Sequence, residues 1–332
     1  MIASALGLVM LVTSHQAATP PAPAKVTLQR TFKAGQKLTY KFASELIAEQ
    51  RGFELTTYLP ISQGYEYTFT NQVVSVSPDG IAQCIYKRPT MTFIIGETWD
   101  HDEKRVPIKM DMNLSMQVSP INEILGIKDL SPKKPEKKKT PDEDSNLFMA
   151  HASPRSQSEF VGQFTNELYR IAMFVGSFDT TLDFAPKLPI RDAKVGDTWK
   201  ITVGFAPQRV AGSKNKENAV QRLDFTYRYD GLMESEGKKV QRVSASFALE
   251  TDAAEYVHQV TGLKPSDTGI KSLNIKMNSA VKFDLEPETL TTLRADAHSE
   301  GTYAFHAAAV KEQAYEDGKF KADAKLRLVD RR

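Results

Sequence analysis

The sequence predicts a mainly β protein of the α+β kind: a large curved antiparallel sheet, or two half-barrel units, with one amphipathic helix packed on the concave face. Three observations predict it. Apolar residues alternate with polar ones in run after run, glycine-containing turns separate the runs, and only the segment 156–178 carries helical spacing. Alternation places one face of each strand on a core and the other in water, the pattern of antiparallel rather than parallel sheets.

The chain opens with a short apolar run, Ala3 to Val12, followed by small and polar residues with Ser14, Ala17 and Ala18 at cleavage positions. We read residues 1–18 as a signal peptide, although no Lys or Arg precedes the run. The run is about half of the roughly 20 residues that span a bilayer. No cysteine follows it, so lipid attachment there is excluded. Residues 19–30, beginning Thr19-Pro20-Pro21-Ala22-Pro23-Ala24, form a flexible spacer. The expected location is the bacterial periplasm or the exterior, with no integral membrane segment after cleavage.

Residues 31–127 read as an N-terminal β half. Leu38, Tyr40 and Phe42 alternate with polar residues, as do Tyr65, Tyr67 and Phe69, and Met110, Met112, Leu114, Met116 and Val118. Pro78-Asp79-Gly80 is a hairpin turn between two such runs. A short helical piece is expected over Ile121 to Leu125. Residues 128–155 form a charged, disordered loop, because Lys128 to Asn146 carries a basic block, an acidic block, three prolines and almost nothing to bury.

Residues 156–178 break the period. Phe160, Val161, Phe164, Leu168, Ile171, Ala172 and Val175 fall three and four apart, one stripe of an amphipathic helix. Ser156 or Ser158 can cap its start, and Gly176 lies near its end. Residues 179–332 read as a C-terminal β half. Alternation returns at Trp199, Ile201, Val203 and Phe205, at Leu223, Phe225, Tyr227 and Tyr229, at Val243 to Leu249 and at Leu273 to Leu285. Asp230-Gly231 and Glu236-Gly237 bracket a strand pair. Phe32 to Phe42 and Ala193 to Val203 echo each other as a tight glycine turn followed by a strand.

Composition narrows the function. The 43 basic and 41 acidic residues nearly cancel, and a net charge of +2 gives no reason to expect nucleic acid. The single cysteine, Cys84, cannot form an intrachain disulfide or build a zinc site alone, and reads as a small buried apolar residue. There is no glycine-rich phosphate loop, no Gly-x-Ser-x-Gly elbow, no His-Glu-x-x-His and no Cys-x-x-Cys. We therefore expect no catalytic residue, no metal and no cofactor. Asp100-His101-Asp102-Glu103 has metal-ligating residue types, yet neighbours on an extended chain point to opposite sides, so a charged surface loop is expected. His298, near Asp296 and Ser299, reads as a hydrogen-bonded sheet histidine, not a triad member.

Methionine and tyrosine are more suggestive, since one adapts to irregular ligands and the other has an apolar body with a polar tip. Met110, Met112, Met116, Phe160, Phe164, Leu168, Tyr227 and Tyr229 are the expected lining of an apolar cavity under the helix. The partner would be a lipid or other apolar ligand. A second reading is a structural or interaction module with a packed interior, meeting an envelope protein through sheet edges or the charged loop. A third is an enzyme with an unfamiliar site near His101 or His298.

The stretch Leu188-Pro189, then Val195-Gly196-Asp197-Thr198-Trp199, resembles a turn-and-strand element of exported β-rich bacterial proteins of unknown function. Phe32 to Phe42, Ser77-Pro78-Asp79-Gly80, Leu114 to Leu130 and Phe283-Asp284-Leu285-Glu286 with Ser299-Glu300-Gly301 are similar to the same proteins in order and spacing. The chain departs from that pattern at Ile121-Asn122-Glu123, where a glycine turn is expected, and in its long charged insertion. The resemblance implies no catalytic residues. A more distant similarity, in architecture alone, is to the bacterial lipoprotein carriers, whose open curved sheet wraps a helix and holds acyl chains.

Overall fold

The computed structural model describes residues 25–52, 55–96, 103–109, 112–131, 165–166, 168–174, 184–205, 221–254, 270–307 and 316–332. The expected signal peptide at 1–18, most of the charged loop and most of the expected helix lie outside these residues.

The alternating runs become strands β1 (Lys37–Gly52), β2 (Leu59–Val76), β3 (Ala82–Arg88), β4 (Met91–Gly96), β5 (Glu103–Ile108), β6 (Met112–Val118) and β7 (Ile124–Asp129). After the helical segment come β8 (Thr198–Phe205), β9 (Gln221–Ser235), β10 (Lys238–Asp252), β11 (Ile270–Leu285), β12 (Thr292–Ala307) and β13 (Glu316–Arg331). All pair antiparallel in one 13-stranded sheet, in the order β7-β6-β3-β2-β1-β13-β12-β11-β10-β9-β8, with β4 and β5 off this path. Of the two expected architectures, the single curved sheet is the one found. It is not closed into a barrel. The first and last strands pair from Leu38↔Arg331 to Gly52↔Glu316, so the sheet is continuous across the chain's two ends.

The sheet forks at β2. Its C-terminal part, Thr70 to Val76, pairs with β3, while Ser62 to Tyr67 pairs with β4. Two hairpins thus leave one strand side by side, β3 continuing to β6 and β7, and β4 to β5. The crotch of the fork is Arg88-Pro89-Thr90-Met91, where β3 ends and β4 begins.

Period-two burial fixes the inward face. Along β1, Leu38, Tyr40, Phe42, Ser44, Leu46 and Ala48 are buried, and along β2 Tyr65, Tyr67, Phe69, Asn71 and Val73. A short helix, α1 (165–173), is described from the expected amphipathic segment, and its Leu168, Tyr169, Ala172 and Met173 join the sheet core. Tyr169 meets Tyr303 and Phe320 edge-on, with ring centroids 6.3 and 5.6 Å apart, and Thr165 donates to Glu316 at 3.3 Å. These contacts set the start of α1 on β12 and β13.

The echo has a structural basis. Gly35 and Gly196 both take left-handed backbone, φ +85° and +92°, which suits glycine. Each turn then docks on a strand in the same way: Gly35 N and Val73 O, then Val73 N and Gln36 O, beside Gly196 N and Tyr229 O, then Tyr229 N and Asp197 O.

Two local expectations fail. Ile121 to Leu125 is not helical: residues 120–121 turn and β7 begins at Ile124. Asn122 supplies the left-handed conformation, φ +64°, at the place where a glycine was expected, and asparagine is among the residues that tolerate it. Asp230-Gly231 is not a hairpin turn either. It lies within β9 opposite a register shift between Arg242 and Val243, so the extra residue is absorbed as a bulge, and the hairpin closes at Glu236-Gly237.

Candidate functional site

The inward face of β1 to β3 is an aromatic surface. Tyr40 stacks on Phe69 at 5.1 Å, and Phe42 and Tyr67 at 4.6 Å and Phe69 and Tyr86 at 5.2 Å meet as tilted pairs. Phe174, at the end of α1, lies over it, 5.2 Å from both Phe42 and Tyr65. Phe184 adds a further ring 4.8 Å from Phe42. Offset ring pairs at these separations contribute about 0.5–1.5 kcal/mol each beyond their buried area.

Phe184 begins a strap, 184–193, that links the two free margins of the sheet. Leu188 N donates to Ile121 O at 3.1 Å, beside β7, and Trp199 Nε1 on β8 donates to Lys187 O at 2.9 Å. Asn122 Nδ2 donates to Pro186 O at 2.8 Å, and Ala193 pairs with Val26. β7 and β8 do not pair with each other. A cleft of about 770 Å³ lies here, lined by Ile121, Leu125, Leu188, Ile190, Trp199 and Ile201 among others.

Met116, Leu168, Tyr227 and Tyr229 are buried, and Met112 is half-buried. Met110, Phe160 and Phe164 lie outside the described residues. The described members are not neighbours along the sheet. Met112 and Met116 stand on β6 and Tyr227 and Tyr229 on β9, each one strand in from its free margin. Tyr227 stacks on Trp199 at 5.7 Å, and the Tyr229 hydroxyl donates to Gln241 at 2.5 Å.

The sequence reading missed Arg88. Alternation along β3 turns Ala82, Cys84, Tyr86 and Arg88 inward, and Arg88 is only 6% exposed. Its Nη2 reaches Met112 Sδ at 2.7 Å, its guanidinium lies 4.8 Å over the Tyr67 ring, and Nε has no hydrogen-bond partner among the described residues. A guanidinium stays charged at any physiological pH, so this is a cation kept from water by a thioether and a π face. Beside it, burial pushes the Tyr67 phenol far above its ordinary pKa, with Arg88 only partly offsetting the effect, so Tyr67 remains a neutral donor. The available signal was a charged residue in phase with an apolar run.

The other candidates do not assemble a reactive centre. His298 Nδ1 pairs with Asp323 at 2.8 Å on the outer face, while Ser299 is buried on the inner face against Ser279 at 2.8 Å. Asp296 is taken by Arg327 at 2.7 Å. Cys84 is buried. Asp100, His101 and Asp102 lie outside the described residues, and Glu103 pairs with Arg105 at 2.7 Å. Among the described residues no group of three or more His, Cys, Asp or Glu could hold a metal ion, and no helix is long and apolar enough to cross a membrane.

No protein-family model and no curated protein matches the chain. Among solved structures it is similar to lipovitellin, studied for lipid–protein interactions, at 11% identity and TM-score 0.43 over 91% of this chain. The chain spans 26% of the lipovitellin chain. It is also similar to DynF of the dynemicin biosynthesis pathway of Micromonospora chersina (6% identity, TM-score 0.22, 98% of this chain and 94% of that one). A DUF1329 family protein from Desulfovibrio piger matches at 8% identity and TM-score 0.14, over 87% of this chain and 85% of that one. None of the three reaches a TM-score of 0.5, so the fold assignment rests on the strand register itself.

Proposed function

We propose that the protein is a non-catalytic binder, exported to the bacterial envelope, that holds a lipid or other apolar ligand against the concave face of its sheet. The observation that carries this reading is the aromatic inner surface of β1 to β3, covered among the described residues by the short α1 and the strap. Concave, mostly apolar surfaces with a few polar groups are the sites small ligands use. The open margins and the fork at Arg88 give such a ligand two routes inward. The sequence adds the signal-like start and the Met and Tyr lining, with Met112 beside the fork.

Native mass spectrometry of the protein, expressed with export and purified without detergent, tests the reading. A reproducible added mass, released by solvent and identified as lipid, supports it. Met112→Asp, shown by circular dichroism to be folded, then loses that mass. A clean apo mass, unchanged after incubation with lipid extract, overturns it. The reading that would replace it is an interaction module acting through the β7 edge, where Leu125 and Ile127 are exposed beside backbone with no second strand partner among the described residues.

A further inference from the structure

We infer that Arg88 receives the carboxylate of a long-chain acid, which makes the ligand class an anionic lipid of the fatty-acid kind; this rests on the apolar-ligand reading above. The argument comes from how this protein uses its other arginines. Arg51 grips Asp317 through Nε at 3.0 Å and Nη2 at 2.9 Å, and Arg242 grips Asp284 through Nε at 2.7 Å and Nη2 at 3.0 Å. In both, the side-on edge of the guanidinium meets the two oxygens of one carboxylate, the geometry arginine favours.

Arg88 has the same edge and no carboxylate on it among the described residues. Nη2 meets the sulfur of Met112, a weak acceptor, and Nε has no hydrogen-bond partner among the described residues. The Arg51 and Arg242 side chains are 37% and 21% exposed, whereas Arg88 as a whole residue is 6% exposed. Arg30 is equally buried and also lacks a carboxylate, but its guanidinium donates to the amide oxygen of Asn122 at 3.3 Å, whereas Arg88 is left with a thioether among the described residues, the reverse of what burial alone favours.

Position supplies the rest of the class. Arg88 sits at the crotch of the fork, with exposed Pro89 and Thr90 on one side and the aromatic face of Tyr67 and Phe42 on the other. A carboxylate on Nε and Nη2 takes the place of the Met112 sulfur, and the neutral Tyr67 hydroxyl, which makes no well-formed hydrogen bond among the described residues, stands beside it as a further donor. An acyl chain attached to that carboxylate runs from the fork along an apolar surface. A small hydrophilic anion would leave that surface unused.

The test compares hexadecanoic acid with hexadecanol on the full chain, by native mass spectrometry and by titration, with acetate as a competitor. The acid is expected to bind roughly tenfold or more tighter than the alcohol, since a hydrogen bond to a charged group is stronger than a neutral one. Arg88→Met is expected to keep alcohol binding and lose the preference for the acid. It also removes an uncompensated buried charge, so the apo variant should melt at or above the wild-type temperature. Equal binding of acid and alcohol by the wild type, or an acid preference that survives in Arg88→Met, overturns the assignment while leaving the apolar-ligand reading intact. Acetate competing as well as the long-chain acid overturns the acyl class. Failure of both lipids to bind the folded wild type overturns the headgroup assignment together with the reading beneath it.

Discussion

Arg242 and Asp284 face each other across the β10–β11 ladder, joined edge-on at 2.7 and 3.0 Å, and Arg294 of β12 approaches the same carboxylate from the other side. Burial alone would raise the Asp284 pKa, but hydrogen bonds from Arg242, Ser235 and Arg294 outweigh it and hold the carboxyl below its ordinary range. A depressed pKa means stability that is present above the unfolded value and lost as pH falls through the folded one. Asp284→Asn takes the carboxylate from Arg242 and leaves Arg294 with Glu236, and is expected to cost about 3 kcal/mol, the low end for a broken buried pair because both arginines keep a side to water. Urea unfolding at neutral pH measures it. The gap between variant and wild type should close as the pH falls below the carboxylate range.

Glu316 behaves in the opposite sense. Tyr303 donates to it at 3.0 Å and Thr165 of α1 at 3.3 Å, yet burial dominates and raises its pKa. Burial also pushes the nearby Tyr169 phenol up to about 12. A carboxyl with a raised pKa binds its proton more tightly in the fold. Its contribution is complete at low pH and is lost as pH rises through the folded value. Glu316→Gln keeps the acceptor for both hydroxyls without the charge. Thermal unfolding between about pH 4 and pH 8 should show the two proteins equal at the acid end and the variant the more stable at the alkaline end. A wild type that gains on the variant with rising pH would refute this.

Much of this fold was legible because period-two burial is a strong signal. The residues of β1, β2 and β11 that alternate in the sequence are the ones buried. What stayed hidden depends on pairing between distant strands. No local feature announces that β2 forks between β3 and β4, or that β1 pairs with β13. The surroundings of Arg88 were hidden for the same reason. Met112 was named by residue type and stands against Arg88, which was passed over because a charge at a strand end is ordinary until its partner is seen to be a thioether. The helical reading of Ile121 to Leu125 failed because asparagine replaced glycine in a left-handed turn.

Gly64 marks a point where β1 and β2 approach too closely for a side chain. A Cβ there would stand 2.4 Å from the Ser44 carbonyl oxygen, a backbone atom that cannot rotate away. Gly64→Ala must therefore part the strands beside the pairs Phe42↔Tyr67 and Ser44↔Tyr65. A loss of about 1–3 kcal/mol is expected, in the range of overpacked cores. Chemical denaturation measures it, and a stabilised variant would mean that the sheet is less tightly drawn here.

Phe42 and Phe174 tie the sheet to α1, and their coupling can be measured directly. Phe42 is fully buried and touches Tyr67, Phe174 and Phe184, while Phe174 meets Phe42, Tyr65 and Tyr67 from the end of the helix. Phe42→Ala empties the centre of the cluster and is expected to cost about 4 kcal/mol. Phe174→Ala should cost less, about 3 kcal/mol, because a helix end can settle into the space. The double variant should fall short of the sum by about 0.5–1.5 kcal/mol, the stacking interaction that each single variant already removes. Hydrogen exchange separates the two roles. Phe174→Ala should speed exchange in 168–174 while leaving β1 and β2 protected, because strand pairing does not depend on the helix. Equal loss of protection in sheet and helix would mean instead that α1 and the sheet unfold as one unit, and that no ligand could enter by lifting the helix alone.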